Sequence, residues 1–154
     1  MPKIEAPGWT EHTGGPNPIS GQDDGPHADI PLGDLAGLTQ FGVHLERLPP
    51  GSRSSHRHWH ETEDEFIYLI SGKLVLIEDQ ETLLRPGDAA GWQAGQPVAH
   101  CLENRSDSAA VMLVVGTRAA AGVVHYPDHD VLLRHGKAGK TLTRLDGSPL
   151  PGKP

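Results

Sequence analysis

Between residues 39 and 117 the chain is a succession of short apolar runs, each closed by glycine, proline or a polar turn before it reaches helical length. That punctuation limits the fold to an all-β sandwich or barrel, since short strands joined by tight turns cannot be packed otherwise. Thr39 to Leu48 alternates and stops at Pro49-Pro50-Gly51, and Arg53 to His60 carries several histidines. Phe66 to Ser71 and Leu74 to Glu78 flank Gly72-Lys73 and are expected as a hairpin. Thr82 to Leu84 runs into Arg85-Pro86-Gly87-Asp88, where Pro-Gly favours a type II turn. Ala89 to Gln93, Val98 to Glu103 and Ala109 to Thr117 supply three further strands.

The flanks read differently. Residues 1–34 are broken by six prolines and show no apolar period, so they are expected as an extended arm. It is either a loose leader or an arm across the barrel or a partner, burying Trp9, Ile19 and Ile30. Residues 35–125 form the barrel, and residues 126–154 a C-terminal hairpin and tail. In the last part Val131 to Arg134 and Thr141 to Leu145 pair across Gly136 to Gly139, and the tail from Gly147-Ser148-Pro149 is expected to be unstructured.

With 154 residues the chain has room for one core. Thirteen basic against twenty acidic residues give a net charge of −7, with no Lys/Arg run to relieve it, so no nucleic acid and no membrane is expected as partner. A small-molecule ligand fits better. One cysteine, Cys101, and a polar start point to the cytoplasm.

The chemistry is concentrated in His58-Trp59-His60 and Glu65. Histidines at i and i+2 of a strand point the same way, and a carboxylate at the start of the next strand can meet both. His56 shares that face if the stretch is extended, so two neighbouring pairs compete for the site. Strand rise puts i and i+4 about 13.6 Å apart, too far for His56 and His60 to grip one ion. Glu65 breaks the tie: Glu65, Ile67 and Leu69 alternate with Phe66, Tyr68 and Ile70, which places Glu65 in an inward row beside His58 and His60. A register slip would bring in Glu63 instead. His100 lies far enough downstream to supply a fourth ligand to a divalent ion, with Zn, Fe, Ni and Mn all compatible. Trp59, Trp92 and Tyr68 are expected in the outer layer, and Cys101 facing away from His100. Leu69, Leu74, Leu76, Val98 and Met112 are the candidate cavity wall.

Gly51, the H-x-H pair His58/His60, Glu65 and Gly72 together resemble the first motif of the cupin superfamily, and Gly87 through Asn104, with His100, resembles its second. The match departs at Gln93, where proline is usual, and in the longer loop between Gly95 and His100. H-W-H followed by acidic residues, with Tyr126-Pro127-Asp128-His129-Asp130 near the end, is most similar to small single-domain bacterial cupins. The resemblance implies a double-stranded β-helix, a jelly-roll barrel with His58, His60, Glu65 and His100 around a metal in its mouth.

Three imidazoles and one carboxylate leave an octahedral ion two open positions, which suits Lewis-acid chemistry on a small oxygenated molecule such as a sugar, a keto or hydroxy acid or a catechol. A metal-dependent oxygenase, isomerase or lyase is the leading expectation, with His56 or Tyr68 as acid/base or orienting group. The alternative is a non-catalytic ligand-binding or sensor module. Residues 125–130 form either a polar rim over the mouth or a turn at a subunit contact. The arm and hairpin exceed a minimal barrel, and sheet edges are often covered by a partner, so a homodimer is expected.

Overall fold

The computed structural model describes residues 3–151. Its strands are β1 (Thr10–His12), β2 (His27–Ile30), β3 (Phe41–Leu48), β4 (Trp59–His60), β5 (Glu65–Ser71), β6 (Leu74–Ile77), β7 (Glu81–Leu84), β8 (Ala89–Trp92), β9 (Cys101–Glu103), β10 (Ala110–Thr117), β11 (Gly122–Tyr126), β12 (Val131–Gly136) and β13 (Gly139–Thr143). One short helix, α1 (Leu32–Leu35), crosses beside β3. Among the described residues no helix is long and apolar enough to cross a membrane.

Six strands form one sheet in the order β1-β2-β3-β10-β5-β8. The others form β13-β12-β11-β4 and β7-β6-β9, and the segment from Arg53 to His60 stitches these two together. Its start bridges β9 (Arg53 with Glu103, Ser54 N–H donating to Leu102 O at 2.8 Å), while its end pairs with β11 (His60 opposite Val124). Between those ends, His58 and His100 exchange backbone hydrogen bonds of 3.1 and 3.0 Å. The result is two facing layers, the jelly-roll arrangement expected from the resemblance.

The core lies between the layers. Leu48, Ile67, Leu69 and Met112 from the six-stranded sheet meet Leu74, Leu76, Leu84 and Leu102 from the other layer. Along β5 the alternation decides which side chains take part: Ile67 and Leu69 are 4% and 0% exposed, against 42%, 41% and 46% for Phe66, Tyr68 and Ile70. Period-two geometry thus puts Glu65 at the head of the inward row.

Two expectations are corrected and an open one is decided. Phe66 to Ser71 and Leu74 to Glu78 are not a hairpin, because β5 pairs with β10 and β8 whereas β6 pairs with β7 and β9. Gly72-Lys73 is instead the corner where the chain leaves one layer for the other. Gly72 has φ of +82°, and a Cβ there would stand 2.6 Å from both Ala109 O and Ala110 Cα. The second correction is the tail: Thr143 bridges Pro149, and Arg144 N–H donates to Ser148 O at 2.9 Å, so Gly147 to Pro149 folds back on the hairpin. Residues 152–154 of that tail and residues 1–2 of the arm lie outside the described residues. Of the two readings of the arm, the structure has the one that packs on the barrel, with two short strands in an otherwise irregular segment. β1 and β2 extend the six-stranded layer, Ile30 is buried, Ile19 is half-buried, and half-buried Trp9 lies under the Arg47 guanidinium at 4.7 Å.

Other turns obey their local chemistry. Asp88 N–H donates to Arg85 O at 2.9 Å with Gly87 at φ +96°, the positive value a type II turn needs at its third residue. Asn104 is fully buried where β9 ends; its Nδ2 donates to Leu48 O and Ser108 O, and its Oδ1 accepts from Ser106. This amide pins the end of β3 to the loop before β10.

Two measurements check this account. Gly72→Ala should lower unfolding free energy by at least about 2 kcal/mol in urea denaturation, since left-handed backbone alone costs a non-glycine residue roughly 1–2 kcal/mol and the backbone clash adds to it. Cys101 is buried, and burial pushes its thiol up to about 11. It should therefore stay essentially unreactive to a disulfide reagent at pH 8 in the native protein and react fully in denaturant.

Candidate metal centre

Four side chains from three stretches of chain converge at one end of the interlayer space. Glu65 heads β5, His58 and His60 come from the connecting segment, and His100 stands just before β9. His100 Nε2 is 2.6 Å from Glu65 Oε2, while His60 Nε2 and His58 Nε2 are 3.1 and 3.5 Å from Oε1. The ligand atoms of His58, Glu65 and His100 lie within 4.8 Å of one another. His60 joins this group through Glu65.

The second nitrogen of two rings is already committed. His58 Nδ1 donates to His56 O at 2.9 Å, and His100 Nδ1 donates to Val98 O at 3.0 Å. In the neutral imidazole each Nε2 then keeps its lone pair toward the cluster, the tautomer a metal ligand requires. Trp92 stacks on His100 at 3.7 Å with 3° between the planes, holding the ring in place. His60 is the loose end: Nδ1 and Nε2 are both buried without a hydrogen-bond partner, Nε2 being near Glu65 but off line. An orphaned imidazole beside a carboxylate that two other imidazoles share could hold a divalent ion, so the residues fit the group that the sequence implies.

Electrostatics agrees. Burial works to raise the Glu65 carboxyl, but the hydrogen bond with His100 and the close approach of the His58 and His60 rings outweigh it and hold the group well below the usual carboxylate range. Burial works to lower His58, and the hydrogen bond and charge of Glu65 more than offset it, leaving His58 above the ordinary imidazole value.

The cluster opens on a cavity of about 200 Å³ whose lining includes His44, Glu46, Ser54, Ser55, Trp92 and Met112. Of the expected wall, Met112 does line it; Leu69, Leu74 and Leu76 lie in the core, and Val98 is exposed. Trp92, expected in the outer layer, instead points inward, because Glu65 pairs with Trp92 across β5 and β8 and paired residues share a face. Its Nε1 donates to Glu78 Oε1 at 2.8 Å.

Tyr68 does not reach the site. It sits three residues from Glu65 on a period-two strand, hence on the outer face, and is exposed. His56 is also displaced, since the chain bends between Ser54 and Arg57 and breaks the alternation that would have aligned it with His58. Its buried ring bonds Ser20 Oγ at 2.6 Å, lies 3.8 Å from Asp24 and packs against His129. His56 touches the centre only through its backbone carbonyl. Glu63 pairs with His135 at 2.9 Å, away from the cluster.

Tyr126 packs its ring 5.7 Å from that of His58, and burial, then the charges of Glu65 and Asp24, push its phenol up to about 12, so it remains a neutral donor. Asp128 is held by Arg57 through two hydrogen bonds of 2.8 and 2.9 Å, and Asp130 pairs with Arg144. The segment 125–130 thus clamps the C-terminal hairpin against the histidine-bearing stretch. His44 and Glu46 belong to no motif. Their signal is spacing alone: they stand at i−4 and i−2 from Leu48, on the face that Leu48 takes into the core.

Relatives confirm the frame. The family model described as a cupin domain matches residues 44–116. A solved sugar phosphate isomerase of the cupin superfamily from Silicibacter pomeroyi is 42% identical, with 98% of each chain covered and a TM-score of 0.89. A protein from Acidithiobacillus ferrooxidans, provisionally designated a sugar phosphate isomerase, is 29% identical over 83% of this chain and 82% of its own, with a TM-score of 0.76. No curated protein matches. Identity of 42% sustained over almost the whole length, on the same two-layer fold, means that the chain belongs to the cupin superfamily.

Proposed function

We propose that the protein is a metal-dependent isomerase of a small phosphorylated sugar. The observation that carries this is the convergence of His58, His60, His100 and Glu65 on a small cavity that also presents Glu46 and His44. The Silicibacter relative, named a sugar phosphate isomerase, supplies the substrate class. A divalent ion held by the four side chains would act as a Lewis acid toward a carbonyl or hydroxyl oxygen.

The chain's own groups then have defined work. Aldose and ketose differ by a proton moved between neighbouring carbons and between their oxygens, so an isomerase needs a base that takes the carbon-bound proton and returns it next door. Glu46 is that base. It lines the cavity on β3 opposite Met112, with only 15% of its side chain exposed, and His44 Nε2 stands 3.4 Å from its Oε2. His44 orients the carboxylate and serves the oxygen-bound proton. Ser55 Oγ, 3.1 Å from His58 Nδ1, and the neutral Tyr126 phenol support the His58 ring. Trp92, Met112 and Val114 exclude water from the reacting carbons.

Elemental analysis of protein purified without added metal should find about one divalent ion per chain, and none in Glu65→Gln or His58→Ala. Wild-type protein incubated in heavy water with phosphorylated trioses to hexoses should exchange the proton beside the carbonyl and form the isomer, read by proton NMR. Glu46→Gln should retain its metal and lose about 10²- to 10⁴-fold in kcat, the usual weight of a general base. Metal-loaded protein that turns over none of these sugars would sink the reading. A second check follows from His58: its raised affinity for protons makes them compete for Nε2 at a higher pH than at a free imidazole. Metal affinity by calorimetry should therefore be full at pH 8 and fall on acidification from just above the ordinary imidazole value.

A further inference from the structure

We infer that a second cavity, between residues 17–19 of the arm and the C-terminal hairpin, binds a small monocarboxylate with an apolar body. The cavity measures about 360 Å³, within the range of roughly 300–1,000 Å³ usual for small-molecule sites. Among the described residues Ser55 alone lines both this cavity and the metal-facing one. Ser55 Oγ stands 3.1 Å from His58 Nδ1, the ring nitrogen away from Glu65, so the second cavity lies behind the histidine that the first one meets in front.

Strand register builds its apolar wall. Leu133 of β12 pairs with Leu142 of β13 and with Val124 of β11. Tyr126 and Lys140 are each two residues along from one of these positions, so Tyr126, Leu133, Leu142 and Lys140 share one face of the sheet. Ile19 covers that face from the arm, and Ile19, Leu133 and Leu142 are all half-buried. The covering turn is fixed in place: Ile19 N–H donates to Asn17 Oδ1 at 2.8 Å, and Ser20 Oγ bonds His56 Nε2 at 2.6 Å.

The polar groups select the head of the occupant. Asn17 is spent, since its Oδ1 accepts from Ile19 and its Nδ2 donates to Asp24 at 2.6 Å. Ser55 Oγ donates to His56 O at 3.0 Å. The Tyr126 phenol and the Lys140 ammonium are left to meet a ligand, and Lys140 is the single charged residue of the lining. Lys140 has no ion-pair partner among the described residues. Two donors and one positive charge match an acceptor with one negative charge, which is a carboxylate. A phosphate monoester, at about −1.5 to −2 near neutral pH, would bring charge that nothing here balances.

Titration of the full chain with benzoate and with hexanoate, followed by calorimetry and protein NMR, tests the inference. Binding of at least one should be saturable, with a Kd below about 1 mM. Lys140→Met keeps an apolar stem at an exposed position and should weaken binding at least about 10-fold, the weight of one charge-assisted hydrogen bond. The corresponding neutral amides should bind wild type more weakly by a similar factor, and Leu142→Trp should fill the cavity and abolish binding. Chelator-stripped wild type should bind as well as untreated protein, because the site does not use the metal. Four results would each overturn the proposal: no saturable binding of either carboxylate, equal affinity in Lys140→Met, inorganic phosphate binding as tightly as the carboxylates, or loss of binding on removal of metal.

Discussion

Glu65 is the charge on which the functional end of the molecule depends. A carboxylate drawn between two sheets is costly, and it persists there because three imidazoles share it. Removing one partner of such a buried set typically costs about 3–5 kcal/mol, because the remaining charge is left uncompensated. The same fact explains why His58 and His100 donate their other nitrogens to backbone carbonyls: each ring is fixed from behind before it is used in front. The centre is thus part of the packing as well as its chemistry. Its four side chains come from the connecting segment, β5 and the lead into β9, so they tie both layers together at one end.

The opposite requirement, that the layers diverge enough to leave a cavity, is met by the connections. Gly72 lets the chain turn from one layer to the other within a space no side chain could enter, and Asn104 locks the neighbouring loop with four hydrogen bonds. From this end the leucine-rich core fills the interior up to Met112 and Trp92. Beyond them the lining becomes polar. The boundary is sharp because strand residues alternate: Leu48, Glu46 and His44 occupy one face of β3, so core and cavity follow each other along a single strand.

Much of this was legible in the sequence, for identifiable reasons. Strand positions followed from apolar alternation and turn chemistry, and the inward row from Glu65 to Leu69 from the period of two. What failed were inferences that needed to know which strands face each other. Gly72-Lys73 has the composition of a hairpin turn, and only the pairing of β5 with β10 and β8 shows it to be a corner between layers. His56 shares parity with His58, but parity holds only while the backbone is extended, and the bend at Ser54 to Arg57 ends it. Tyr68 could have been excluded from the sequence, since it shares the outward parity of Phe66 and Ile70. His44 and Glu46 show the converse: polar residues at core parity beside Leu48 mark the place where a core face becomes a cavity.

β5 draws these strands of argument together. Its inner side chains, Glu65, Ile67 and Leu69, run from the histidine cluster into the core, and its outer ones, Phe66, Tyr68 and Ile70, form an apolar row in water. A strand that is apolar on both faces is normally covered on both, as in sheets packed between two layers. Left bare, its outer row would be a liability for nonspecific association. The inner row is held by the core beneath it, and this fixes the strand that presents Glu65 to the three histidines.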